Sequence, residues 1–237
     1  MPSVALAATA LVGGATVLYG GQAQAFSCSF GGSGMPPNVC QTDVWYSSNP
    51  ASDKLVKFLN LPTTGRGDIE FRYANNPPPG LSVYDQWFVD VDFNPNLNPG
   101  NGASVFDYLI KIDTTVPHFP AFWDVSLGAS TGGDAWATKE IWATDGNGNK
   151  TTLLHTLKYD PFNGITDVHY EIWPTDNLSE LYILDTANPG TLANGGNIDA
   201  YQNTFRQVPG PLPLLGAGAA FGFTRKLRRR VKAFRMA

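Results

Sequence analysis

The chain has 237 residues, of which 43% are hydrophobic and only 15% charged, with 25 Gly, 18 Pro and two Cys. Abundant Gly, Pro, Asn, Asp and Thr beside few Lys and Glu exclude a helical bundle, because such residues favour turns over helices. All 20 acidic residues lie between Asp43 and Asp199, and seven of the 16 basic ones lie between Arg225 and Arg235; the remainder therefore carries a formal charge of −11, which excludes nucleic acid as an expected partner.

In chain order, residues 1–25 read as a signal peptide. Val4 to Tyr19 is an apolar, Ala- and Gly-rich stretch, and Ala23-Gln24-Ala25 places small residues before a cleavage point at Phe26, so signal peptidase is an expected processing partner. Cys28 and Cys40 follow as an isolated pair, which in an exported chain suits a disulfide closing a short Gly- and Pro-rich loop. The central part reads as one all-β domain over residues 26–185, a β-sandwich of jelly-roll type. Its expected strands are Asp43–Tyr46, Lys54–Leu59, Ile69–Tyr73, Trp87–Phe93, Ser104–Ile112, Trp123–Leu127, Ala135–Ala143, Thr151–Tyr159, Ile165–Trp173 and Glu180–Leu184. Turn residues separate them, and Asp145-Gly146-Asn147-Gly148-Asn149 is the clearest hairpin signal. Residues 186–207 read as a linker, and residues 208–237 as a tail with a short hydrophobic helix.

Few residues in the middle carry chemistry. Asp145, Asn147 and Asn149 begin like a calcium loop, but Lys150 and Thr156 stand where Gly and Glu are needed, so a plain turn is expected. Asp90, Asp92, Asn94 and Asn96 form an oxygen-rich run in which alternation places Asp90 and Asp92 on one face; they are the candidate calcium ligands, against the reading of a solvated strand edge. His155 and His169 have no ligand-like spacing, although neighbouring strands would let them face each other. No nucleophile, dinucleotide or zinc-protease motif is present, and no catalytic residue is singled out. Six Trp all fall in expected strands, mostly as core; Trp136 and Trp142, an even number apart, would share a face and are the candidates for stacking on sugars.

The tail begins Val208-Pro209-Gly210-Pro211-Leu212-Pro213, continues through an apolar run from Leu214 to Phe223, and ends in a basic cluster beginning Arg225-Lys226-Leu227-Arg228-Arg229-Arg230. Ten apolar residues are too few for an ordinary bilayer crossing, while the basic cluster is placed to stay on the cytoplasmic side. This segment resembles the PEP-CTERM sorting signal in its cyanobacterial form, with Gly210 where the commonest motif has Glu. The resemblance covers residues 208–230 and implies transient membrane association and removal of the tail by exosortase, a membrane cysteine protease. It implies a route and not an activity. The expected function is that of an exported surface or extracellular-matrix-associated protein whose molecular activity the sequence does not define, with exopolysaccharide as the candidate ligand; the alternative is a secreted hydrolase acting on glycans or esters. No cofactor is expected apart from the candidate calcium.

Overall fold

The computed structural model describes residues 26–32, 39–47, 54–73, 86–113, 121–173, 176 and 178–207; the expected signal peptide and the whole sorting tail lie outside the described residues. Among these, alternating side chains build thirteen strands in two antiparallel sheets. The six-stranded sheet has the order β1 (Phe26–Phe30), β4 (Gly67–Tyr73), β5 (Gln86–Leu97), β13 (Asn197–Gln207), β7 (Phe122–Gly132) and β11 (His169–Glu171). The seven-stranded sheet has the order β10 (Ile165–Asp167), β9 (Lys150–Asp160), β8 (Trp136–Thr144), β12 (Glu180–Asn188), β6 (Ser104–Ile112), β3 (Lys54–Asn60) and β2 (Trp45–Tyr46). The protein is therefore a β-sandwich. No helix among the described residues is long and apolar enough to cross a membrane.

The core lies between the inner faces. Phe71, Trp87 and Val91 of the six-stranded sheet are fully buried, as are Phe58, Phe106 and Ile183 of the other. Each such side chain contributes about 1.5–3 kcal/mol relative to exposure, so the two faces hold one another in register. Cys28 and Cys40 form the expected disulfide, buried at edge strand β1, and an isolated bridge between Ser29 and Val39 runs beside it.

Four sequence expectations are corrected. The segment read as a linker, 186–207, contains the end of β12 and all of β13, which lies between β5 and β7 in the middle of a sheet. The single strand expected over Ile165–Trp173 is two short strands, β10 pairing with β9 in one sheet and β11 with β7 in the other. His155 and His169 accordingly occupy different sheets: His155 stacks on Tyr170 at 4.7 Å between centroids, and His169 sits opposite Ser126. Of the six Trp, Trp87 is fully buried, Trp45, Trp123, Trp136 and Trp142 are half-buried, and Trp173 is 71% exposed after the end of β11.

Two turns are held by exposed carboxylates. Asp145 accepts from the backbone of Asn147 (2.8 Å) and Asn149 (3.1 Å), closing the β8–β9 hairpin. Asp134, before β8, accepts from Thr191 N (2.7 Å), Thr191 Oγ1 (2.7 Å) and Asn194 Nδ2 (2.9 Å), tying down the loop before β13. The hydrogen bond from the Thr191 backbone, followed by those from the Asn194 and Thr191 side chains, lowers the Asp134 pKa from 3.8 to about 2. A depressed carboxylate stabilises the fold above its unfolded pKa and loses that contribution as the pH falls through the folded one. The melting-temperature advantage of the wild type over Asp134→Asn should thus be constant above pH 4 and vanish towards pH 2. A difference that does not change over this window would remove the carboxylate from the loop's stability.

Candidate functional site

Strand register sets the outer face of the six-stranded sheet in rows. Glu70, Asp90, Gln202 and Gly128 are successive cross-strand partners on β4, β5, β13 and β7. Asp68, Asp92, Ala200 and Ser130 form the row beside it, and Arg72, Phe88, Thr204 and Ser126 the row on the other side. Long side chains on β4 and β5 thus face Gly128 and Ala200, which leave the sheet bare. The result is an open depression of about 650 Å³ bordered by Glu70, Arg72, Asp90, Asp92, Ser130 and Gln202.

Local packing orients these groups. Arg72 lies on the Phe88 ring at 4.4 Å and donates from Nε to Asp90 Oδ2 at 2.6 Å. The Asp90 side chain is nearly buried, and its other oxygen, Oδ1, has no hydrogen-bond partner. Gly67 lets β4 and β5 approach: a Cβ there would stand 1.8 Å from the Asp92 carbonyl oxygen. Glu70 is raised above the ordinary carboxylate range by burial, with Asp90 and Asp92 adding to the rise and Arg72 opposing it. Asp92 is raised by burial and then by Asp90, Asp199 and Asp68. Crowded carboxylates with one guanidinium make a surface rich in acceptors, suited to hydroxyl and ammonium donors and hostile to anions.

Asp90 and Asp92, the first two candidate calcium ligands, lie in this depression. Asn94 and Asn96 stand exposed further along β5 on either side of Pro95; Asn94 N donates to Arg66 O at 2.8 Å, and the Asn96 carbonyl accepts from Asn98 Nδ2 at 2.9 Å. Among the described residues, no group of three or more His, Cys, Asp or Glu is arranged to hold a metal ion.

Trp136 and Trp142 share the outer face of the other sheet, one residue row apart from the buried set of β8. Lysines cover them: Lys158 Nζ lies 5.5 Å from the Trp136 ring centre and Lys150 Nζ 5.2 Å from that of Trp142. Trp45 carries Lys111 at 4.1 Å and Lys57 at 5.4 Å in the same way. A sugar stacking on Trp136 or Trp142 would have to share the ring with a lysine ammonium, and among the described residues the depression on the six-stranded sheet has no such cover.

A second polar cluster adjoins the depression. Asp124 on β7 is buried and lies 2.8 Å from His169 Nδ1, and its Oδ1 is 3.9 Å from Arg206 Nε. Burial raises the Asp124 pKa, against the pull of His169 and Arg206. Sequence reasoning missed Glu70, Arg72 and Gln202, because only strand pairing brings β4 and β13 beside β5. Strand alternation in Ile69–Tyr73 was the one available signal for Glu70 and Arg72. In comparisons with family models, curated proteins and solved structures, no match to the chain is found.

Proposed function

We propose that the chain is an exported surface or extracellular-matrix protein whose six-stranded sheet binds a glycan bearing free hydroxyl or amino groups, without cleaving it. The observation that carries this reading is the depression itself: acceptor carboxylates, a guanidinium and an amide surround a bare floor of Gly128 and Ala200. It is open and shallow, as suits a long polymer lying across strands more than a reaction that must exclude water. The domain charge of −11 argues against an anionic polysaccharide as the direct ligand. The disulfide supports an oxidising destination, and the signal peptide and PEP-CTERM-like tail supply the route, with signal peptidase and exosortase as processing partners. We also assign the sandwich to the jelly-roll type, supported by a chain that passes repeatedly between its sheets, from β3 to β4, β5 to β6, β6 to β7 and β7 to β8.

One observation favours hydrolysis as the second reading. Glu70 and Asp90 are direct cross-strand partners, and such side chains start about 4.5–5.5 Å apart at Cβ, the order of separation found in retaining glycosidases. The raised Glu70 would be the acid, and the Arg72-paired Asp90 the nucleophile.

Titration of the protein against neutral, amino-bearing and acidic polysaccharides tests both. Binding is expected for the first two classes with no release of reducing ends. At Gly128, a Cβ would meet nothing nearer than the Gln202 carbonyl oxygen at 4.0 Å. Gly128→Trp therefore fills the depression without a backbone clash, and affinity should fall at least about tenfold with the melting temperature unchanged. Equal affinity in that variant would dismiss the depression as the site. Reducing ends released by the wild type and lost in Glu70→Gln would establish the hydrolase instead.

A further inference from the structure

Between the sheets, on the opposite face of β13 from the outer depression, lie three polar side chains that the binding reading does not use. Lys139 on β8 and Asp185 on β12 are direct cross-strand partners, and their side chains point into the core at 0% and 1% exposure. Asn203 on β13, at 0%, meets Asp185 from the opposite sheet. Lys139 Nζ is 3.0 Å from Asp185 Oδ1, and Asn203 Nδ2 donates to Asp185 Oδ2 at 2.7 Å. One carboxylate thus touches both an amine and a carboxamide. The Tyr108 and Phe205 rings close the site, their centres 5.7 Å and 5.4 Å from Nζ. Asn203 Oδ1 is buried with no hydrogen-bond partner.

We propose that Lys139 and Asn203 join in an intramolecular amide bond across the sandwich, formed with Asp185 as the proton carrier.

The environment prepares each participant. Burial lowers the Lys139 pKa to about 8, although Asp185 pulls it upward, so a free amine is accessible near neutral pH. Burial raises Asp185 above the ordinary carboxylate range, against the opposing effects of Lys139, Asn203 and Tyr108. In a low-dielectric core, moving one proton from ammonium to carboxylate converts the ion pair into a neutral amine beside a carboxylic acid. A half-turn of the Asn203 amide, which exchanges oxygen and nitrogen in nearly the same space, lets that acid donate to Oδ1 and polarise the carbonyl.

The step then balances without oxidant or reductant. The Lys139 Nζ lone pair forms a bond to Asn203 Cγ, and the carbonyl electron pair moves to Oδ1, which takes the proton from Asp185. Asp185 receives a proton from Nζ and passes it to Nδ2. The Cγ–Nδ2 bond breaks, Oδ1 returns its proton as the carbonyl re-forms, and Nδ2 leaves as ammonia. One amine and one primary amide become one secondary amide. Asp185 is regenerated, and the two sheets are tied by a bond that survives unfolding. Such a link suits a protein exposed outside the cell, and it would fasten β13 permanently into its place.

Mass spectrometry of the full chain, denatured and reduced, tests this directly. The wild type should weigh about 17 Da less than its sequence, the mass of one ammonia. Proteolysis should yield one branched peptide joining Lys139 to Asn203. Lys139→Arg and Asp185→Ala should each restore the sequence mass, and an intact link in Asp185→Ala would overturn the role given to the carboxylate. An unshifted mass in folded wild-type protein overturns the proposal without reference to any variant. So does a lost ammonia with the two peptides separate, the signature of an asparagine succinimide.

Discussion

A chain that stops at Gly196 is expected not to fold, whereas one that stops at Gln207 is expected to unfold in a single cooperative transition. β13 pairs with β5 on one side and β7 on the other, so its removal splits the six-stranded sheet and exposes two new edges. It also withdraws Ile198, Tyr201 and Phe205 from the core, at 0%, 3% and 0% exposure. At about 1.5–3 kcal/mol each, these three side chains alone account for several kcal/mol of a net stability typically about 5–15 kcal/mol. The ladder bonds on both edges are lost as well. Near-ultraviolet circular dichroism and limited proteolysis of the two chains decide the matter. A protease-resistant, cooperatively melting chain ending at 196 would show that β13 is an accessory to the sandwich.

Trp87→Ala should be the most damaging single substitution in the core, lowering the unfolding free energy by about 3–5 kcal/mol. Trp87 is fully buried on the inner face of β5 and packs against Phe71 at 5.7 Å between centroids. The buried Lys54 ammonium from the other sheet stands 5.7 Å over its ring. Alanine would leave a cavity of most of an indole and remove the aromatic face from a charge that water cannot reach. For a domain of this size, the melting temperature should fall by roughly 10 °C. Trp136→Ala serves as the control, since Trp136 lies half-buried on an outer face, and its loss should shift the midpoint far less. Equal shifts in the two variants would contradict the assignment of Trp87 as a core anchor.

The candidate site was only partly legible beforehand. Period-two alternation is enough to put Asp90 and Asp92 on one face, because both belong to one strand. It cannot say that Glu70 joins them, since that depends on β4 pairing with β5 in a register that places Glu70 opposite Asp90. Nor can it reveal a depression, because the dent arises where Gly128 and Ala200 from two other strands meet the same face. The Trp pair shows the converse. Their shared face follows from spacing, but the lysines that cover them come from β9, its first residue Lys150 lying over Trp142 and Lys158 over Trp136.

Sequence by itself determined the all-β class, the Cys28–Cys40 disulfide, the Asp145–Asn149 hairpin and the bounds of β6 at Ser104–Ile112, because each rests on local chemistry: turn propensity, alternation or a lone thiol pair. Tertiary structure alone decided the place of β13. Its inward positions read Tyr201, Asn203, Phe205 and Gln207, so the apolar alternation that marks a buried strand is broken at every second step. Those polar side chains are tolerated because buried partners wait on the opposite sheet, Asp185 for Asn203 and Lys54 for Gln207. The pattern looks like a loop when read along the chain and becomes a strand only when the facing sheet supplies those partners.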